Sequence, residues 1–456
     1  MSVTPVSSPA LSLPRMPAAL AAPQISPVVT TLLVLGATTF NMGLCFANTN
    51  VMAISDMHVI LCEFVILSLT FLAAFRSITN AHLILLGFIA IWPMLLASIR
   101  YVTGNDSTID VKIVRDLAIP IGFFLLGTAS PNVKTADRIV GAAVVIVLIV
   151  ALFEYFWIEM FTKFFNIAKY YIARGTLEAK QIWQNSDLFI SGTRPGGGGE
   201  GGGRNLLPFL GDHRVSSVFL EPVSAGNFGV IVFLWGLVRS RMENKLYFAT
   251  MTGAMVLIIL GDSRFGAYLC IIALAASFFP IAWTTMGGVF MPLIAVAVLV
   301  LVPLIVTGSY DPQNRYIDNG FVGRFVLSAR ILGEFDLLTW FGLKAPSMQA
   351  FDSGYAYAIS RVGIVGLAVL WLIPFSLKNP DRNFCTFRNL MAIYYGAIFC
   401  VSNSAFTIKT AALAWFLFGA MYQATAMRSA LVRLAQLAQA WYRTNGGRAV
   451  QANRMS

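Results

Sequence analysis

Long apolar runs recur along the chain from residue 27 to residue 425 and are separated by short polar segments. A run of about 20 apolar residues matches the length of an α-helix that crosses a bilayer. Twelve such candidate helices can be placed: 27–46, 57–75, 81–99, 112–129, 139–158, 217–238, 246–261, 264–280, 286–307, 353–376, 389–403 and 407–425. The pattern therefore predicts an all-α polytopic integral membrane protein with both termini on the same side.

Two of the intervening polar segments are far longer than ordinary helix connections, and long loops in compact domains are usually functional or disordered. They cover residues 159–216 and 308–352. The first begins with aromatic residues over 161–183, which we expect to rest on the membrane surface. It then passes through a glycine run at 196–203, where regular structure is costly.

The two ends of the chain differ from this membrane domain of residues 27–425. Residues 1–26 are rich in Pro, Ser and Ala and predict a disordered cytosolic tail, not a cleaved signal peptide. Residues 426–456 form a basic tail that also lies in the cytosol in this interpretation, where it can contact anionic lipid.

Composition narrows the class of protein. Hydrophobic residues make up 57% of the 456 residues, charged residues 12%, and the mean hydropathy is +0.73. Such a chain is too apolar to be a soluble globular protein. The five cysteines and three histidines do not follow metal-ligand or disulfide spacing. We therefore predict no metal and no cofactor.

Charge predicts the orientation in the membrane. With the N-terminus in the cytosol, the cytosolic segments hold fifteen Lys and Arg residues against three acids, and the rest of the chain holds seventeen against eighteen. This asymmetry follows the positive-inside rule and puts both long loops on the outer face of a cell membrane. The basic tail is explained by lipid, so we predict no nucleic-acid partner.

Ionisable residues then gather on that outer face. Arginine binds phosphate oxygens through two parallel hydrogen bonds and keeps its charge in a low dielectric, so clustered arginines favour a diphosphate ligand. The candidate diphosphate-binding residues are Arg214, Arg264, Arg324, Arg330 and Arg361. A carboxylate or a histidine nearby could accept a proton from an attacking sugar hydroxyl. The candidates for that role are Asp352, Glu221 and His213.

Each of these residues also has a purely structural interpretation. Arg214 could face lipid head groups, and Asp262 could neutralise Arg264. Glu221 could stabilise a helix N-terminus and hold Arg214, while Asp352 could cap the helix that follows it.

Three motifs resemble a known family. They are Arg-x-Ser-Ser-x-Phe-x-Glu-Pro-x-x-x-Gly-Asn over 214–227, the pair Ser263-Arg264, and Asp352-Ser353-Gly354-Tyr355 with Gly-Ile-Val-Gly-Leu at 363–367. In this order they are similar to segments of the O-antigen ligase/polymerase superfamily. The form of the third motif looks most like that of Wzy-like exopolysaccharide polymerases of the xanthan type.

The resemblance implies a GT-C-like glycosyltransferase in the bacterial inner membrane. Such an enzyme moves a growing glycan from undecaprenyl diphosphate onto a new lipid-linked repeat unit at the periplasmic face, by metal-independent, inverting transfer. The implied partners are that lipid-linked oligosaccharide, membrane lipids and a chain-length regulator.

Two alternatives remain open. Ligases of the superfamily transfer glycan to lipid A core and usually carry a histidine where this chain has Asp352. A lipid-linked sugar flippase or exporter also fits twelve helices, although no internal repeat is visible.

Overall fold

The computed structural model describes residues 25–106, 110, 112–130, 132–176, 206–211, 213–307, 321–346, 353–377, 379 and 381–424. Over these residues the chain forms α-helices joined by turns and short 3-10 segments, with no β-strand. The prediction of an all-α protein is confirmed. The two tails, Asp352 and most of each long loop lie outside the described residues.

The helices follow one another in chain order. They are α1 (Pro27–Asn50), α2 (Asp56–Ala74), α3 (Asn80–Val102), α4 (Lys112–Thr128), α5 (Val133–Phe156), α6 (Ile158–Phe164), α7 (Ile167–Ala173), α8 (Pro222–Glu243), α9 (Phe248–Leu260), α10 (Arg264–Ala276), α11 (Ile281–Val289), α12 (Met291–Thr307), α13 (Phe321–Gly333), α14 (Leu337–Trp340), α15 (Gly354–Phe375), α16 (Arg382–Ile398) and α17 (408–424).

Six of the described helices are long and apolar enough to cross a membrane, namely α1, α2, α3, α5, α8 and α15. A seventh span is possible if α11 and α12, which meet at a 67° bend, are taken together. Helices α9 and α10 are apolar but shorter. These helices are consistent with a polytopic membrane protein.

Helix α8 lies at the centre of the bundle. In the most apolar stretch of this helix 89% of the residues are buried inside the protein, and the helix packs against α9, α10 and α16. Two glycines allow this close contact. A Cβ at Gly226 would lie 2.2 Å from Ser263 Oγ, and a Cβ at Gly229 would lie 2.8 Å from Ile258 Cγ1. The segment before α8 is therefore held at a fixed position on the bundle.

Four predicted helix bounds were wrong. Helix α5 begins at Val133 and not at 139, because its charged residues lie within the helix, where Asp137 pairs with Arg239. The run at 286–307 is broken at Phe290 into two helices. Helix α8 begins at Pro222 and not at 217, because a 3-10 turn and a left-handed residue precede it. Helix α16 begins at Arg382 and not at 389, since the cation at Arg388 is buried within it and donates to Thr285 Oγ1 over 3.0 Å.

The start of the first long loop was also misplaced. The aromatic segment was expected on the membrane surface, but α6 and α7 turn inward. Phe161, Ile167 and Tyr170 are buried and pack with Cys45 and Leu220 in a small second core. Since Tyr170 Oη also donates to Asn41 Oδ1 over 3.0 Å, these helices are part of the bundle.

Polar contacts gather at the two ends of the bundle. At one end lie the segments 213–222, 261–264, 353–361 and 402–409, and we call this the motif end. At the opposite end, Arg239 forms an ion pair of 2.7 Å with Asp137, which also accepts a hydrogen bond from Trp235. The side chains between the two ends are mainly apolar, as expected for the part of a bundle that lies in the hydrocarbon layer of a membrane.

Candidate functional site at the motif end

Unusual backbone conformations mark the motif end. Four non-glycine residues in the described chain have positive φ, and three of them lie here: Ser217 (51°), Leu220 (60°) and Asp262 (48°). L-residues adopt such angles at a cost of about 1–3 kcal/mol, and they persist where surrounding contacts hold them, often at functional sites. The contacts around residues 213–221 are therefore the first place to look for a site.

Glu154, near the end of α5, fixes this segment. Its fully buried carboxylate accepts hydrogen bonds from the backbone N–H groups of Ser216 (2.9 Å) and Ser217 (2.6 Å). His213 Nε2 lies 3.0 Å from the same carboxylate. The predicted proton acceptor His213 thus has a ring oriented by a buried acid, an arrangement that suits a histidine exchanging protons.

Glu221 is the residue before α8, and it pairs with a cation from the far end of the sequence. Lys409 Nζ lies 2.8 Å from Glu221 Oε2, while Tyr171 Oη and Ser224 Oγ donate to the carboxylate over 2.9 Å each. The Lys409 ammonium also donates to Phe219 O. The expectation that Glu221 holds Arg214 was wrong, because Lys409 neutralises the carboxylate instead.

These contacts determine the protonation of the group. Burial raises the pKa of the Glu221 carboxyl, but the Lys409 ammonium and the three hydrogen bonds outweigh burial and hold this pKa below its ordinary value. Burial and the Glu221 carboxylate raise the pKa of Tyr171 well above its ordinary value, so the phenol stays a donor. Glu221 is therefore ionised at neutral pH.

Arg214 is buried against the turn between α9 and α10. Its Nε donates to Gly261 O over 3.2 Å and lies 3.9 Å from Asp262 Oδ2. The adjacent Val215 N–H donates to Leu260 O, which joins the two segments. Arg264, half-buried, begins α10 two residues after Asp262. The structure thus brings Arg214 and Arg264 to the same end, with Arg214 also stabilising the turn.

The three sequence motifs meet around the turn between α16 and α17. Gly226 of the first motif contacts Ser263 of the second. Asn227 Nδ2 donates to Ser404 Oγ over 2.8 Å. In the third motif a Cβ at Gly354 would lie 2.7 Å from Ser402 O. Segments that are distant in sequence therefore form one continuous surface.

Helix α15, which carries the third motif, is interrupted at Gly363. This residue has φ 68° and ψ 166°, a conformation that is essentially limited to glycine. The break leaves backbone carbonyls without helical partners, and side chains of α3 satisfy them. Trp92 Nε1 donates to Val362 O over 2.8 Å, and Arg100 Nη1 donates to Ser360 O over 3.0 Å.

The other predicted arginines occupy separate positions. Arg361 Nη2 lies 3.2 Å from Asp110 Oδ2. Arg330 of α13 pairs with Glu334, the residue after this helix, at 3.4 Å, and Arg324 is half-buried on α13. Helix α13 reaches the motif end because Ser328 Oγ donates to Cys400 O. Asp352 lies outside the described residues, and the cap of α15 is Ser353, whose Oγ accepts from Ala356 N.

A further cluster of charges lies beside α15. Arg115 pairs with Asp116 at 2.7 Å and also with Glu63. Tyr357 Oη donates to the second oxygen of Asp116 over 2.7 Å. The Arg115–Asp116 pair and its contacts join α2, α4 and α15.

Lys409 and Glu154 were missed as site residues, although the sequence held a signal for both. Lys409 is the only charged residue in the predicted helix 407–425, and Glu154 is the only one in 139–158. An ionisable residue within a membrane helix is expensive and is usually paired or functional. Both residues lie inside apolar runs, away from the loops that carry the predicted site residues.

No family model, curated protein or solved structure matches the chain. The chemistry of the site therefore has to be judged from its own residues. At one end of an apolar bundle they provide a histidine oriented by a carboxylate, an ionised Glu221 and several arginines.

Proposed function

We propose that the protein is a membrane glycosyltransferase that polymerises polysaccharide repeat units carried on undecaprenyl diphosphate. The observation that carries the proposal is the His213–Glu154 pair beside the partly buried Glu221–Lys409 pair, at the end where Arg214 and Arg264 lie. A proton acceptor and cations for a diphosphate are the two requirements of this transfer.

The proposed membrane topology goes beyond the six described helices that are long and apolar enough to cross a bilayer. All twelve apolar segments cross a bacterial inner membrane in a GT-C-like arrangement, with both termini in the cytosol and the motif end in the periplasm. The basic opposite end supports this orientation.

In the proposed reaction, a hydroxyl of the acceptor repeat unit attacks the anomeric carbon of the growing glycan. The new glycosidic bond forms as the bond from that carbon to the diphosphate oxygen breaks, and the electron pair leaves with the diphosphate. His213 accepts the hydroxyl proton, and Glu154 stabilises the resulting imidazolium. Arg214, Arg264, Arg324, Arg330 and Arg361 supply candidate cations for the two lipid diphosphates.

Glu221 then has an orienting role. Because its carboxylate is ionised and paired with Lys409, it is a weak base. We assign to Glu221 and Lys409 the positioning of the segment before α8, and to Asp352 the role of an alternative proton acceptor.

The test is incubation of the purified protein with a synthetic undecaprenyl-diphosphate repeat unit, followed by sizing of the lipid-linked products. The wild type should form a ladder of lengths, with or without a chelator. His213→Asn should slow elongation by about 100-fold, the lower range for loss of a general base. Arg138→Ala, an exposed change at the opposite end, is the matched control. Wild-type protein that leaves single repeat units unchanged would refute the proposal.

Transfer to lipid A core, the ligase alternative, is distinguished in the same assay by adding that acceptor. A flippase or exporter is favoured by the break in α15 and the 67° bend between α11 and α12, because interrupted helices are common in transporters. Movement of labelled lipid-linked sugar across liposomes without elongation would support that function instead.

A further inference from the structure

A large cavity lies between α3, α4, α15 and the last two helices, apart from the site described above. Its volume is about 1030 Å³. On α4 its lining runs from Ile113 to Thr128, which is about 22 Å of helix at 1.5 Å per residue. The cavity therefore extends through much of the apolar layer.

The body of the cavity is apolar and largely aromatic. Trp371, Phe375, Trp415 and Phe418 line it, together with aliphatic residues of α3 and α4. None of the lining residues in the described chain is acidic. The apolar wall of an empty cavity lacks dispersion contacts, and a hydrocarbon chain bound in the cavity supplies them. Such a lining therefore favours a hydrocarbon ligand.

The two ends of the cavity differ in polarity. Tyrosine apart, six lining residues carry a charged, hydroxyl, imidazole or amide group, and all six lie at the opposite end of the bundle: Arg76, Ser77, Thr79, His82, Thr128 and Gln423. Toward the motif end the lining is Ile113, Ala358, Ala405 and Phe406. There Phe406 packs on Tyr357, whose hydroxyl bonds to Asp116. The cavity thus has one polar end and one apolar end.

We propose that this cavity binds an anionic phospholipid from the leaflet at the opposite end, with an acyl chain in the apolar body and the phosphate beside Arg76. Charge complementarity selects the head group, because Arg76 is exposed at the polar end of the cavity and the loops at this end of the bundle are strongly basic. Basic pockets between membrane helices on the cytosolic side bind such head groups. The site does not depend on the function proposed above.

Native mass spectrometry of the delipidated protein tests the proposal directly. Added phosphatidylglycerol should bind saturably, and phosphatidylcholine with the same acyl chains should bind at least about five-fold more weakly, the effect of one nearby cation. Arg76→Gln should remove that preference, whereas Arg138→Gln, exposed at the same end but outside the cavity, should keep it.

A second pair of variants tests the acyl chain. Leu85→Trp fills the cavity and should abolish retention of the lipid, while Leu83→Trp, an exposed position on the same helix that does not line the cavity, should leave it intact. Equal binding of the two phospholipids, or unchanged binding in Leu85→Trp, would overturn the proposal. So would displacement of phosphatidylglycerol by an equal concentration of undecaprenyl phosphate, which would make the cavity a site for the substrate chain.

Discussion

Lys409 Nζ lies 2.8 Å from Glu221 Oε2, although 188 residues separate the two in the chain. The pair joins the first turn of α17 to the entry of α8, the most buried membrane helix. The exposed fractions of the two side chains are 6% and 31%, so the ammonium is almost wholly withdrawn from solvent. Removing either side chain would leave the other without its ionic partner in a poorly solvated place.

Lys409→Met should therefore destabilise the protein. Loss of one partner of a fully buried pair costs about 3–5 kcal/mol, and the partial exposure of Glu221 lowers the expectation to about 2 kcal/mol. Thermal unfolding in detergent measures the change, with the exposed Lys169→Met as control. The double variant with Glu221→Gln should lose less than the sum of the single changes. Additive losses would show that the two residues are not energetically coupled.

Acid should weaken the same contact. The pKa of Glu221 in the folded protein is below its ordinary value of 4.5, so the stabilisation is complete above pH 4.5 and is lost as the pH falls through the lower value. Melting temperature measured against pH should thus fall more steeply on acidification in the wild type than in Glu221→Gln. In Lys409→Met this acid-dependent loss should be smaller or reversed, because without the ammonium the burial of Glu221 raises the pKa of its carboxyl and favours the protonated form in the folded protein. Identical profiles in all three proteins would contradict the assignment.

The class of protein, a helical membrane protein, and most of its helices were predictable because apolar runs of about 20 residues match the hydrocarbon thickness of a bilayer. The start of α16 was not, because polar residues at a helix end resemble a loop when their burial is unknown. Arg388 shows the reason: its cation lies within α16 and is satisfied by Thr285 and the carbonyl of Leu377. The start of α8 was not predictable either, because the 3-10 turn at Ser217–Phe219 and the left-handed Leu220 are as apolar as the helix that follows them.

The candidate site was predicted in part. The motifs placed Arg214, Glu221 and Arg264 at one end of the bundle, where the structure also has them. Their partners were not predictable, since the pairing of Glu221 with Lys409, and of His213 with Glu154, depends on contacts between helices distant in sequence. The sequence did mark both partners, because Lys409 and Glu154 are each the single charged residue of a predicted apolar helix.

Glu154→Gln should disturb the segment before α8. The carboxylate accepts from two backbone N–H groups and faces His213, but an amide would direct its own N–H₂ group at one of these donors. We expect a loss of about 2–3 kcal/mol, the penalty for leaving buried polar groups unsatisfied. Glu159→Gln, at an exposed position on α6, is the control.

Under the proposed function the same change has a second consequence. If Glu154 acts through His213, the Glu154→Gln and His213→Asn variants should slow elongation without adding to each other, because each removes the same oriented proton acceptor. Repeat-unit transfer at a temperature where both variants remain folded measures this. Fully multiplicative losses would separate the role of Glu154 from that of His213.

Gly363→Ala tests the interruption of α15. At φ 68° and ψ 166° an alanine is strained by about 1–3 kcal/mol, and its Cβ would lie 2.6 Å from Phe341 O. The carbonyls that Trp92 and Arg100 hold would have to move with the backbone. Thermal unfolding should show a clear loss, whereas Gly87→Ala, with open space around its Cβ in α3, should be neutral or stabilising. If Gly363→Ala melts like the wild type, α15 is not fixed in its broken form and can become continuous.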